Sequence, residues 1–164
     1  MAIRNLRYQG DEILKKKSRE VPEEDISEEK IQTLIDDMID TMHKYNGVGL
    51  AAVQVGILKR IVVIDLYDDK GPIVLINPII TKTKGEQEVE EGCLSFPNEF
   101  GKVVRPAEVT AEYTDRNGKR KKNKSKRVIS TGNSTRVRPF RREFICRYSN
   151  TRNIRIYRTR KIKN

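Results

Sequence analysis

Between residues 31 and 42 the apolar side chains fall at Ile31, Leu34, Ile35, Met38, Ile39 and Met42. Steps of three and four place them on one face of an α-helix. Ser27, just ahead, suits the N-cap, and Glu28 and Glu29 sit at the positive end of the helix, where carboxylates are favourable. Asn46-Gly47 supplies the stop. Downstream the period changes. Residues 60–66 (Arg-Ile-Val-Val-Ile-Asp-Leu) form a β-branched run flanked by charge and predict a buried strand. Residues 73–76 predict another, ending at Asn77-Pro78, and residues 79–90 alternate loosely enough to pair antiparallel with their neighbours. Val103-Val104 and residues 107–113 read as two more strands. Asp115-Arg116-Asn117-Gly118 is a hairpin turn, its Asn-Gly suited to positive φ. Ahead of the helix, residues 3–9 predict a short edge strand, Asp11 caps a short helix over 12–17, and the acidic, Pro-bearing stretch 20–29 is a connector. One long amphipathic helix packed against a mixed, mainly antiparallel sheet is an α+β fold.

A chain of 164 residues is one domain by default and long enough to bury a core. Its charge is divided. Residues 119–164 hold 18 Lys/Arg and one acidic residue, Glu143, whereas residues 1–118 carry a net charge of −6. The run from Lys119 to Arg127 offers almost nothing apolar to pack, so the domain is expected to span residues 1–118, followed by a basic, disordered tail over 119–164. Two cysteines, Cys93 and Cys146, make no disulfide framework. Nothing resembles a signal peptide or a membrane span, and a reducing cytoplasmic setting is the natural expectation.

Two stretches carry candidate chemistry. In Gly47-Val48-Gly49-Leu50-Ala51-Ala52-Val53-Gln54 two glycines let the backbone approach another molecule, and Gln54 offers an amide with one acceptor and two donors. A plain helix-to-strand connector is the competing reading. In Glu91-Gly92-Cys93-Leu94-Ser95, Cys93 is either a small buried thiol or a thiolate that holds a metal or attacks a substrate.

Together these stretches resemble the first and second signature motifs of peptide deformylases, G-x-G-L-A-A-x-Q and E-G-C-L-S. The resemblance runs to about Gly118. It implies hydrolysis of the formyl group from the N-terminal methionine of nascent polypeptides, with N-formylmethionyl peptides as substrate and ribosome-associated chains as a setting. It also implies a metal, iron(II) natively with nickel, cobalt or zinc as substitutes, held by a cysteine and two histidines. Carried over, Cys93 is the thiolate ligand. Gln54 and the backbone N–H of Leu94 hold the formyl oxygen as charge builds on it. Gly47, Val48 and Gly49 line the cleft, the Gly49 backbone pairing with the peptide like an added strand.

The family's third motif, H-E-x-x-H, supplies both histidines and the general acid/base glutamate, and it does not occur in these residues. The single histidine, His43, precedes the first motif and reads as a helix-surface residue. One thiolate does not make a site that needs three protein ligands, so a chain with this tail is expected to be weakly active or inactive. Its closing helix, which would cover the strands around Val62, Ile64 and Val74, is lost with the motif. A fully buried Leu or Ile contributes ~1.5–3 kcal/mol against a net stability of ~5–15 kcal/mol, so a domain of small margin is expected.

The genetic code accounts for the tail. Thr135-Arg136-Val137-Arg138-Pro139-Phe140 can be written ACA CGA GTC CGA CCA TTT. One nucleotide later this reads His-Glu-Ser-Asp-His. Extended over residues 122–147, the shifted reading permits Lys-Ile-Asn-Pro-Lys-Gly-Leu-Leu-Ala-Arg-Ala-Ile-Gln-His-Glu-Ser-Asp-His-Leu-Glu-Gly-Ser-Leu-Phe-Val-Asp, a helix bearing the missing motif between two strands. A frameshift near Gly118 is therefore expected. The alternative is a basic-tailed nucleic-acid or ribosome-binding derivative without catalysis, with Phe140, Tyr148 and Tyr157 among arginines to stack on bases and Lys/Arg to contact RNA phosphates.

Overall fold

The computed structural model describes residues 2–126. It is an α+β domain of one long helix and two antiparallel sheets. Helix α1 spans Glu29–Lys44. Strands follow at Gly49–Ala51 (β1), Ile61–Ile64 (β2), Ile73–Lys84 (β3), Gln87–Cys93 (β4), Phe96–Arg105 (β5), Glu108–Thr114 (β6) and Arg120–Lys126 (β7). The larger sheet has the order β1-β2-β3-β6-β7, and β4 pairs with β5 in a separate two-stranded ribbon.

The helix buries the face that its spacing predicts. Ile35, Met38 and Met42 are fully buried and pack with Leu50, Ile61, Val63 and Ile76 beneath them. Its start differs from expectation. Glu28, not Ser27, is the N-cap, and no side chain caps the helix. The residues ahead are taken up in consecutive turns, closed by Asp25 N–H to Pro22 and Glu28 N–H to Asp25. The stop falls as expected. Asn46 takes the left-handed conformation (φ 52°), and the Gly47 N–H reaches back to the Met42 carbonyl at 2.9 Å.

Residues 3–9 form no strand. Their backbone donors go to several separate acceptors, with Arg4 N–H on Thr41 Oγ1, Arg7 N–H on the Gln54 carbonyl and Gln9 N–H on the Ser95 carbonyl. The segment straps both motifs to the helix. It is anchored at Asp37, which is 3% exposed and accepts from the Ala2 N–H (2.6 Å) and Arg4 Nε (2.8 Å). The Ala2 N–H, aided by Arg4 and opposed by burial, holds this carboxyl below its ordinary pKa. A depressed folded-state pKa gives stability that is present above the unfolded value and lost as pH falls through the folded one. Asp37→Asn is therefore expected to destabilise the domain at pH 7, with the gap to the parent closing as the pH drops below about 4. Urea melts across pH 2–7 check this.

The short helix expected over 12–17 is a single 3-10 turn, Glu12–Lys15, with Asp11 accepting from the Ile13 N–H as its cap. Strand β3 does not end at Asn77-Pro78. Asn77 has φ 51°, the register shifts there, and the strand resumes opposite β6. The Asn77 side chain pairs with both the N–H and C=O of Val21, which holds this bulge in place.

The boundary expected at 118 falls inside a hairpin. The turn forms as the sequence predicts, with Gly118 at φ 76° and Asp115 Oδ1 accepting from the N–H groups of Asn117 and Lys119. Beyond it, β7 pairs along the whole of β6 despite its charge. Lys122 meets Glu112 at 2.7 Å, Lys124 meets Glu108 at 3.1 Å and Arg120 meets Glu23 at 2.9 Å, so carboxylates relieve the repulsion expected to keep this run unpaired. The disorder and shifted reading expected for the remainder of the tail, with Phe140, Cys146, Tyr148 and Tyr157, concern positions outside the described residues.

The sheet faces expected to lie open are covered. Val62 and Ile64 pack with Ala51, Val53, Leu75 and Ala111, and Leu14, Leu58 and Leu66 lie against them, while Val74 belongs to the cluster under the helix. Among the described residues no helix is long and apolar enough to cross a membrane.

Candidate peptide-binding and thiol site

Both sequence motifs meet at one end of the domain. The first leaves α1, forms edge strand β1 and closes in a 3-10 turn, Ala52–Val55. That turn carries Gln54, which is fully buried. Its Oε1 accepts the Ala51 N–H at 2.9 Å, and this bond fixes which way the amide faces. Nε2 consequently points toward the second motif, 3.2 Å from Ser95 Oγ and 3.7 Å from Cys93 Sγ. Gln54 thus presents donors, not an acceptor, to the half-buried free thiol. One amide hydrogen is engaged by Ser95, and the other is directed at the sulfur.

Leu94 follows the thiol and packs partly buried against the main core cluster. A Cβ added at Gly47 would stand 2.8 Å from Leu94 Cδ1, so the glycine brings the two motifs into contact. Val48 joins Gly47 to β1, its carbonyl accepting the Asp65 N–H at 3.1 Å. Gly49 opens β1, opposite Ile64 of β2. Because β1 is the outermost strand of its sheet, no strand among the described residues pairs with its other edge. The structure therefore places Gly47, Val48, Gly49, Gln54, Cys93 and Leu94 around one locus.

Ser95 had no role in the sequence reading, yet it is fully buried and receives the Gln54 amide. Its place directly after Cys93-Leu94 is the one signal that pointed to it. His43 is not an isolated surface residue either. Its Nε2 lies 2.8 Å from Asp65 Oδ2, and that carboxylate is almost fully buried. No signal in the sequence joined these two residues, which are 22 positions apart.

The donor set of the described residues does not fit a tightly held metal ion. Among the described residues no three His, Cys, Asp or Glu side chains are gathered as ligands, and Cys93 stands as a lone sulfur. A site built for a first-row metal calls for at least three protein donors.

Comparison with known proteins identifies the family to which the fold belongs. The polypeptide deformylase family model matches residues 3–131. A peptide deformylase of Finegoldia magna is 51% identical over 119 residues, 72% of each chain. One from Agathobacter rectalis is 57% identical over 113 residues, covering 69% of this chain and 68% of that one. The crystal structure of a peptide deformylase from Legionella pneumophila superposes with a TM-score of 0.73 at 44% identity, over 77% of this chain and 74% of that one. The α+β scaffold and its glycine-rich edge are thus those of a hydrolase. The chain belongs to the polypeptide deformylase family.

Proposed function

We propose that this domain receives the formylated amino terminus of a polypeptide, and that the chain with its present tail removes the formyl group weakly or not at all. The observation that carries the first half is the Gln54 amide, turned by Ala51 so that Nε2 faces Cys93 Sγ at 3.7 Å beside an edge strand. A formyl oxygen seated there accepts the second Nε2 hydrogen and the Leu94 N–H. The Gln54 donor is already oriented before charge develops on that oxygen. The peptide extends along Gly49 of β1 by backbone pairing, with Gly47 and Val48 as the floor.

The second half rests on the donor count. Iron(II), nickel, cobalt or zinc bound to a thiolate would generate the attacking hydroxide, but one sulfur does not retain such an ion. The missing donors are compatible with another coding frame. Synonymous codons for residues 135–140, read one nucleotide later, permit His-Glu-Ser-Asp-His, and the family match ends at residue 131. A frameshift near residues 118–120 accounts for the charge of the tail without selection for RNA. The β7 cations Arg120, Lys121, Lys122 and Lys124 lie beside carboxylates of Glu23, Asp115, Glu112 and Glu108, which gives phosphate binding no bare basic face there.

Sequencing the DNA across the codons for residues 117–126 and on to the end of the tail tests the frame. Codons that permit the shifted string are expected. Codons that forbid it would leave the tail as a product of its own frame.

A further inference from the structure

Tyr67 lies outside both motifs and adopts φ 54°, the left-handed region that bulky side chains rarely hold. Three contacts keep it there. Its N–H donates to Asp65 Oδ1 at 2.7 Å, its hydroxyl donates to the Gly47 carbonyl at 2.9 Å, and its ring rests against that of His43 with centroids 5.6 Å apart. Asp65 is joined to the same group. Its second oxygen lies 2.8 Å from His43 Nε2, and its backbone N–H donates to the Val48 carbonyl. The carbonyls of Gly47 and Val48, immediately before β1, are therefore both held from residues 65–67. Burial, followed by the charge of Asp65, raises the Tyr67 phenol pKa, so its hydroxyl stays a donor at neutral pH.

We propose that Tyr67, supported by Asp65 and His43, is a positioning residue that fixes the Gly47-Val48-Gly49 segment ahead of peptide binding. What that segment receives rests on the deformylase reading above. The physical need is clear. A stretch with two glycines in three residues has the largest backbone freedom to lose. A peptide that adds to its edge must bear the cost of ordering it unless the fold has already done so. Two carbonyl tethers from one short segment do that ordering. They also make a strained tyrosine conformation worth keeping, since the strain sits in the element that grips rather than in the edge itself.

Tyr67→Phe retains the ring and deletes one donor. In the 15N-labelled full chain the amides of residues 47–50 are expected to exchange about tenfold faster, while those of Val63 and Leu75 and the melting temperature hold. Affinity for a formyl-Met tripeptide, read by titration, is expected to fall about three- to tenfold. Asp65→Asn keeps an oxygen for the Tyr67 amide but loses the charge facing His43, and it is expected to shift the same resonances less. Unchanged exchange at residues 47–50 in both variants would overturn the proposal, as would loss of protection spread evenly over the sheet. If the parent chain binds no formyl peptide, the deformylase reading fails, and the exchange data alone decide the role of Tyr67.

Discussion

A version of this chain whose coding frame is shifted by one nucleotide from about residue 119 is expected to release formate from formyl-Met peptides at least about a thousandfold faster than the chain as it stands. That gain follows from what the shift restores. A positioned general acid/base contributes ~10²–10⁴-fold by itself, and two added imidazoles would join Cys93 to make the three donors that hold a catalytic ion. The receiving half changes little, because Gln54, Ser95, Cys93 and Leu94 are already assembled by residues 2–126. The gain should therefore appear in kcat and in bound metal, with KM altered far less. Parallel formate assays and metal analysis on both proteins check it. A restored chain that binds metal yet gains no rate would refute the frame reading.

The second large effect concerns the helix. Met38 is fully buried in the cluster that joins α1 to β1, β2 and β3. Met38→Ala leaves a cavity there, and such truncations cost ~2–5 kcal/mol. Against a total of ~5–15 kcal/mol, that removes a large share of the margin. Urea denaturation is expected to show a midpoint lowered by about 1 M or more, with little change in slope. A loss below about 1 kcal/mol would mean that this cluster does not carry the stability of the domain.

The helix was legible because its apolar spacing and its Asn-Gly stop are local signals, and Asn46 makes the left-handed residue that the stop requires. The strands β2 and β6 were legible for a similar reason, since their runs are short, β-branched and buried. The misreadings share a cause: partners distant in sequence. Asn77-Pro78 looks like a strand end, but Val21, 56 residues away, satisfies the Asn77 amide and lets the strand continue as a bulge. The basic run after Gly118 looks unpairable until β6 sets Glu112 and Glu108 beside its lysines. Residues 3–9 have strand composition, but their donors are drawn to Thr41, Gln54 and Ser95. At the site, motif order announced Gln54 and Cys93. The orientation of the amide, the burial of Ser95 and the joining of His43, Asp65 and Tyr67 depend on folding that no spacing rule encodes.

Deformylation by this chain turns on how many donors grip the ion. Purified under anaerobic conditions with iron(II) or nickel supplied, the chain should retain well under about a tenth of an equivalent after desalting, and formyl-Met peptide should stay intact beside it. One ion per chain that survives desalting, accompanied by formate release, would contradict that expectation.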